Sequence, residues 1–151
     1  MGVAVKRARA LFSAAARTDD EGSVLILTLG YALLALAAVF VCVDATSLYL
    51  AQKRLDSLAD SAALAGSDGF TLEIVDGEPI ARLTDQDVHS EAATFLADIA
   101  DPGTALVAAT TPDGVSARVT VASTWRPPIL ALFVPDGVAI EATATSRTAL
   151  D

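Results

Sequence analysis

The chain has 151 residues, 53% hydrophobic and 19% charged, with 10 Lys plus Arg against 19 Asp plus Glu, a formal net charge of −9. A mean hydropathy of +0.51 is too apolar for a disordered acidic chain and high for a soluble domain, so composition points to one modest domain plus a membrane span. The acidic balance argues against a nucleic-acid partner, and the single Cys, Cys42, excludes an internal disulfide framework and any Cys-based zinc site.

Residues 1–21 read as a cytoplasmic tail, with Lys6, Arg7, Arg9 and Arg17 followed by Asp19, Asp20 and Glu21. Residues 22–43 carry no charge and hold twelve Val, Leu, Ile or Phe. About 20 apolar residues at ~1.5 Å rise match a ~30 Å hydrocarbon core. At roughly 0.3 to 0.6 kcal/mol each, the dozen supply on the order of 4 to 7 kcal/mol for insertion as a transmembrane helix. The run outlasts the apolar region of a cleaved secretory signal and ends in Val-Cys-Val-Asp in place of an A-x-A site. Val41 before Cys42 does not suit a lipoprotein signal either. Four bases precede the span and two, Lys53 and Arg54, follow shortly after, which predicts a single-pass protein of the cell membrane with a cytoplasmic N-terminus. The part from Asp44 onward, expected outside the cytoplasm, holds six bases against sixteen acids, a net of −10.

The helix is expected to continue through residues 44–66. No Gly or Pro interrupts Asp44 to Ala65, and Leu48, Ala51, Leu55, Leu58, Ala62 and Ala65 repeat at three-then-four spacing. A rod from Ser23 to Ala65 would be ~64 Å long at 1.5 Å per residue, stopped by Gly66 and Gly69. Asp44, Leu48, Leu55, Leu58 and Ala62 are the candidate helix-packing or assembly residues. Asp44 marks the membrane boundary or pairs with a base on a neighbouring helix; the stripe packs on the chain's own sheet or on a partner's coiled coil. Gly30, Ala35, Ala37 and Ala38 permit close helix approach and leave a homo-oligomer open, without a G-x-x-x-G motif.

Residues 67–151 read as a small α+β domain. Strands 70–75 and 79–83 flank the hairpin signal Asp76-Gly77-Glu78. Thr84 opens a capping-box-like T-D-Q-D before a helix over 85–100, with Val88, Ala92, Phe95, Leu96 and Ile99 inward. Strands 105–110 and 115–125 bracket Pro112-Asp113-Gly114; in the second, Val115, Ala117, Val119 and Val121 alternate with Ser116, Arg118, Thr120 and Ala122. A short apolar piece of either type, 129–134, and a strand over 138–148 complete an expected antiparallel sheet of four or five strands. The fold class is thus α+β: one transmembrane helix continuing as a long helix packed on a small antiparallel sheet, with one further helix.

Chemistry is sparse. His89 lies in Asp85-x-Asp87-x-His89-x-Glu91, but the two i, i+4 pairs point to different sides of a helix, and acids in a first turn complement its dipole. The D-G turns lack the Lys and spacing of a phosphate loop, and no nucleophile motif surrounds any Ser. Neither catalysis, metal nor cofactor is expected.

Four features stand in fixed order: Gly22-Ser23 opening the span, Val43-Asp44 closing it, Leu48-Tyr49-Leu50-Ala51-Gln52-Lys53-Arg54-Leu55, and Ala59-Asp60-Ser61-Ala62-Ala63-Leu64-Ala65. This order resembles the N-terminal region of TadE/TadG-like proteins of the tight-adherence (Flp) pilus assembly system, closest to short TadG-related proteins of actinobacteria. The final Val-Ala-Ile-Glu-Ala-Thr-Ala-Thr strand is similar to the tails of that family. The resemblance implies a pilin-like helix on a sheet and an accessory, structural role in pilus assembly or secretion, with membrane lipid and pilus or secretion machinery as partners. Members processed by a prepilin peptidase carry a Glu about five residues after the cleavage-site Gly; five after Gly22 stands Leu27, so the chain is expected to stay anchored. The alternative is a single-pass extracytoplasmic sensor or ligand-binding module unrelated to pili.

Overall fold

The computed structural model describes residues 2–147, with side chains from Gly22 onward. The side chains of the basic tail, and the last residue of the strand expected over 138–148, lie outside the described residues. Helix α1 spans Gly2–Asp68. Residue contacts divide the chain into two units, 1–43 and 44–151, and the division falls within α1, between Val43 and Asp44.

In the first unit, every described residue from Gly22 to Val43 is exposed. This stretch is long and apolar enough to cross a membrane. A helix that is apolar all round and buries nothing in its own protein is suited to lipid on every side.

The second unit begins with the last part of α1 and continues through β1 (Thr71–Val75), β2 (Glu78–Arg82), α2 (Asp85–Ile99), β3 (Ala105–Thr110), β4 (Ser116–Trp125), a 3₁₀ turn (Leu130–Leu132) and β5 (Val138–Arg147). The sheet β3-β4-β5 is antiparallel throughout, and β4 pairs with β5 along its full length from Ser116↔Arg147 to Trp125↔Val138. Its inner face, including Ala117, Val119, Val121, Ala142 and Ala144, forms one core with Leu55, Ala59, Ala62 and Ala63 of α1 and Val88, Ala92 and Leu96 of α2. Eight of the fourteen clustered residues are Ala, and the bulkiest completely enclosed side chains are Val88, Val119 and Val121. Such a core is thin: its stability depends on close approach of backbones, because few large side chains are available to fill a wider gap.

Gly66 shows how close that approach is. It does not stop α1, which runs on to Asp68. A Cβ on Gly66 would stand 3.0 Å from Val88 Cγ1, 3.4 Å from the Val88 carbonyl oxygen and 3.5 Å from Ala117 Cβ. On Gly69 it would meet Glu91 Cγ at 2.8 Å. Both glycines thus admit α2 against the end of α1, and the stop expected from the Gly66 and Gly69 pair falls at the second of them, α1 ending at Asp68.

The five strands do not form the single sheet expected. β1 and β2 make a separate two-stranded ribbon, whose turn residues Asp76 and Gly77 take φ of 53° and 87°. Positive φ at both central positions is what a two-residue hairpin of the tightest kind demands. Only two residues separate α1 from β1 and two separate β2 from α2. These short links hold the ribbon at the helix ends, and just beyond β2 the Leu83 N–H donates to the Gly114 carbonyl of the β3–β4 turn at 2.8 Å.

α2 starts with the capping box read from the sequence. Thr84 Oγ1 accepts from the Asp87 N–H at 3.2 Å, and Asp87 Oδ2 accepts from the Thr84 N–H at 3.3 Å. Thr84→Ala removes half of this exchange and is expected to cost about 1 kcal/mol, measurable by denaturant titration. The inward face of α2 holds Val88, Ala92 and Leu96, with Phe95 half-buried; Ile99, expected inside, is 62% exposed because the helix ends there and its side chain lies at the rim of a groove.

Candidate assembly surface

The five candidate residues on α1 occupy different environments. Leu55 and Ala62 are in the core, Leu58 packs half-buried against it, and Leu48 is half-buried. The buried stripe also takes in Ala59 and Ala63, so it is centred about one residue to the side of the Leu48-Leu55-Leu58-Ala62 line. Asp44 is only 5% exposed. Its Oδ1 accepts from the Ile129 N–H at 3.1 Å, while its Oδ2 is buried with no hydrogen-bond partner in the structure. The carboxylate therefore holds the connection between β4 and β5 against α1.

A line of polar contacts extends from this point along α1. Trp125 Nε1 donates to Ser47 Oγ at 3.1 Å, Gln52 Nε2 to the Glu141 carbonyl at 2.8 Å, and Ser67 and Ser146 share hydroxyl contact at 3.3 Å. Each joins the helix to β4 or β5, and together they fix its register along the sheet. Sequence reading missed these partners, which lie 78 to 89 residues apart. One signal was present for Asp44: it sits four residues before Leu48, so the 44-48-51-55 spacing already places it on the inward stripe.

Opposite this stripe, α1 shows Tyr49, Leu50 and Leu64 at 50–61% exposure. Lys53 Nζ lies 6.0 Å from the Tyr49 ring centroid and pairs with Asp56 Oδ2 at 3.0 Å. The hydrogen bond from Gln52 and then that from Lys53 hold the Asp56 carboxyl below its ordinary range, and Asp56 in turn raises Lys53. Beside α1, a groove of about 410 Å³ is lined by Arg54, Leu58, Ile99, Asp101, Trp125 and Ile140 among others.

The acids of the α2 start are committed to structure. Asp85 Oδ1 accepts from the Thr111 N–H at 2.6 Å, tying the helix start to the β3–β4 turn, and Asp87 completes the capping box. His89 is exposed. In that turn Asp113 accepts from the Val115 N–H at 3.1 Å, and from the Ser116 N–H at 2.6 Å and hydroxyl at 2.8 Å. Val115 first, then Ser116, with a smaller contribution from Arg147, hold the Asp113 carboxyl below its ordinary range. The native state consequently binds fewer protons than the unfolded chain in mild acid. Stability from Asp113 is fully present above the ordinary Asp value near about 3.9 and is lost as pH falls through the depressed native one. Thermal melts from neutral pH into this window should show Asp113→Asn losing less stability on acidification than the parent.

Beyond this geometry, one segment of the sequence is similar to a known family. Residues 22–73 match the family model of Flp pilus-assembly TadE/G-like proteins. The matched segment comprises the apolar run, the packed part of α1 and the opening of β1, and over this segment the chain is similar to that pilus-assembly family. The match ends at Glu73, so α2 and the three-stranded sheet lie beyond it. No curated protein and no solved structure matches the chain.

Proposed function

We propose that the chain is a membrane-anchored accessory component of a Tad/Flp-type pilus assembly or secretion apparatus, working by binding rather than catalysis. The observation that carries this reading is the TadE/G-like match over residues 22–73, which covers both the lipid-suited run and the helix packed into the domain core. Residues 22–43 anchor the protein in the cell membrane, the N-terminal tail faces the cytoplasm, and the acidic domain from Asp44 onward engages pilus or secretion proteins outside it. Four bases before the run and two shortly after support that orientation. The motif order favours the short TadG-related branch seen in actinobacteria, and Leu27 in the position of the processing Glu favours retention of the anchor.

The experiment is deletion and cross-linked purification from cells that express the chain at native level. The reading predicts loss or reduction of pili and adhesion, restored by the intact gene, together with capture of the pilus platform by the tagged protein. Unchanged pili in the deletion strain, with no platform protein captured, would contradict it.

A further inference from the structure

We propose that the β4–β5 connection is a second lipid contact, in which Leu132 and Phe133 sit in the boundary between headgroups and acyl chains beside the end of the membrane span. This inference rests on the reading of residues 22–43 as a span. Leu132 and Phe133 are 92% and 80% exposed, more than any other large apolar side chain described, including those of the span itself. The domain leaves them without an apolar neighbour to cover them, although nine consecutive uncharged residues, 127–135, surround them in sequence. Such a patch marks an interaction surface.

Its position selects lipid as the occupant. The Ile129 N–H donates to Asp44 Oδ1 at 3.1 Å, and Asp44 is the residue directly after the apolar run. At the end of β4, just before the same connection, Trp125 Nε1 donates to Ser47 Oγ at 3.1 Å. A loop fastened at these two points is tied to the residues that directly follow the apolar run. Its backbone is already prepared for a less polar medium: Phe133 and Val134 N–H groups donate to the Leu130 carbonyl at 2.9 and 3.1 Å, and Gly137 N–H donates to Val134 at 3.2 Å. Satisfied backbone groups lower the cost of leaving water. Exposed Arg126, just before the uncharged stretch, suits phosphate headgroups. The exposed Leu72 and Ile74 on the β1–β2 ribbon, by comparison, have Glu73, Asp76 and Glu78 around them in sequence and lack this tie to residue 44.

The test uses the full chain in phosphatidylcholine–phosphatidylglycerol nanodiscs, with a polarity-sensitive fluorophore on a single cysteine. Phe133→Cys and, separately, Leu132→Cys are made in a Cys42→Ala background. Comparators are native Cys42, within the span, and Pro112→Cys in the same Cys42→Ala background, beyond the opposite end of β4. Because 132 and 133 are exposed, both variants should melt as the parent does. Emission at 133 and 132 should be blue-shifted relative to 112 and quenched by lipid carrying a spin label near the headgroup. Emission at both sites like that at 112, with Cys42 quenched, overturns the loop contact while leaving the anchor standing. Loss of quenching at Cys42 as well overturns the anchor on which the contact depends. A shift at 133 that disappears at one chain per disc identifies a second copy as the occupant and also overturns the proposal.

Discussion

Ala62→Leu is expected to lower the melting temperature of the domain by roughly 5–20 °C, the equivalent of about 1–3 kcal/mol of overpacking in a small domain. Ala62 is completely enclosed between α1 and the rest of the core, in a cluster where most residues are Ala and nothing bulkier than Val is fully enclosed. Three added carbon atoms can be housed only by lifting α1 from the sheet. That movement would strain the Trp125–Ser47 and Gln52–Glu141 bonds, which fix the two at 3.1 and 2.8 Å. Leu and Ala are both strong helix formers, so the loss would report packing rather than propensity. Leu64→Ala, on the exposed side of the same helix, should shift the melt by less than about 0.5 kcal/mol. The chain has one Trp, so Trp125 fluorescence follows this docking directly during the melt.

Gly137→Ala is expected to cost at least about 2 kcal/mol, from left-handed backbone strain together with a steric conflict. Gly137 takes φ of 75°, and a Cβ there would stand 2.6 Å from the Trp125 carbonyl oxygen and 2.7 Å from Thr124 Cγ2. The first of these is backbone in the strand that pairs with β5, so relief requires the end of the sheet to open. Gly114 provides the comparison, because it has φ of 78° but nothing within 4 Å of its would-be Cβ. Gly114→Ala should therefore show the conformational cost alone, about 1–2 kcal/mol, and the difference between the two variants in a denaturant titration measures the clash. Equal losses at both positions would mean that the strand end yields easily.

Much of this architecture was legible locally. The uncharged run, the Thr84–Asp87 cap, the Asp76-Gly77 turn and the alternation in β4 each depend on residues within a few positions of one another. What escaped was decided between distant segments. Gly66 reads as part of a helix stop, and its place in close packing shows only once Val88 and Ala117 are known to press against it. Ile99 has the right spacing for burial, but the helix ends before a neighbour covers it. The separation of the β1–β2 ribbon follows from links of two residues at each side, whose consequence depends on where α1 and α2 lie. Asp44 is the clearest case at the candidate surface. Its charge suggests a membrane-boundary marker or a partner for a base on a neighbouring helix; the structure adds a contact within the domain, where it accepts from the Ile129 N–H 85 residues away.

The two parts of α1 thus face different surroundings: residues 22–43 offer apolar side chains in every direction, and from Asp44 onward one face is spent on the chain's own core. Cysteine accessibility in intact membranes reads this change at residue 44. Single cysteines at Leu36, Val41, Tyr49, Lys53, Ala59 and Leu64, in a Cys42→Ala chain, would be treated with an impermeant maleimide from the side bearing the domain. Labelling is expected at 49, 53 and 64, none at 36 and 41 without detergent, and labelling at 59 only after denaturation. Ready labelling at 36 and 41 in sealed membranes would contradict this expectation.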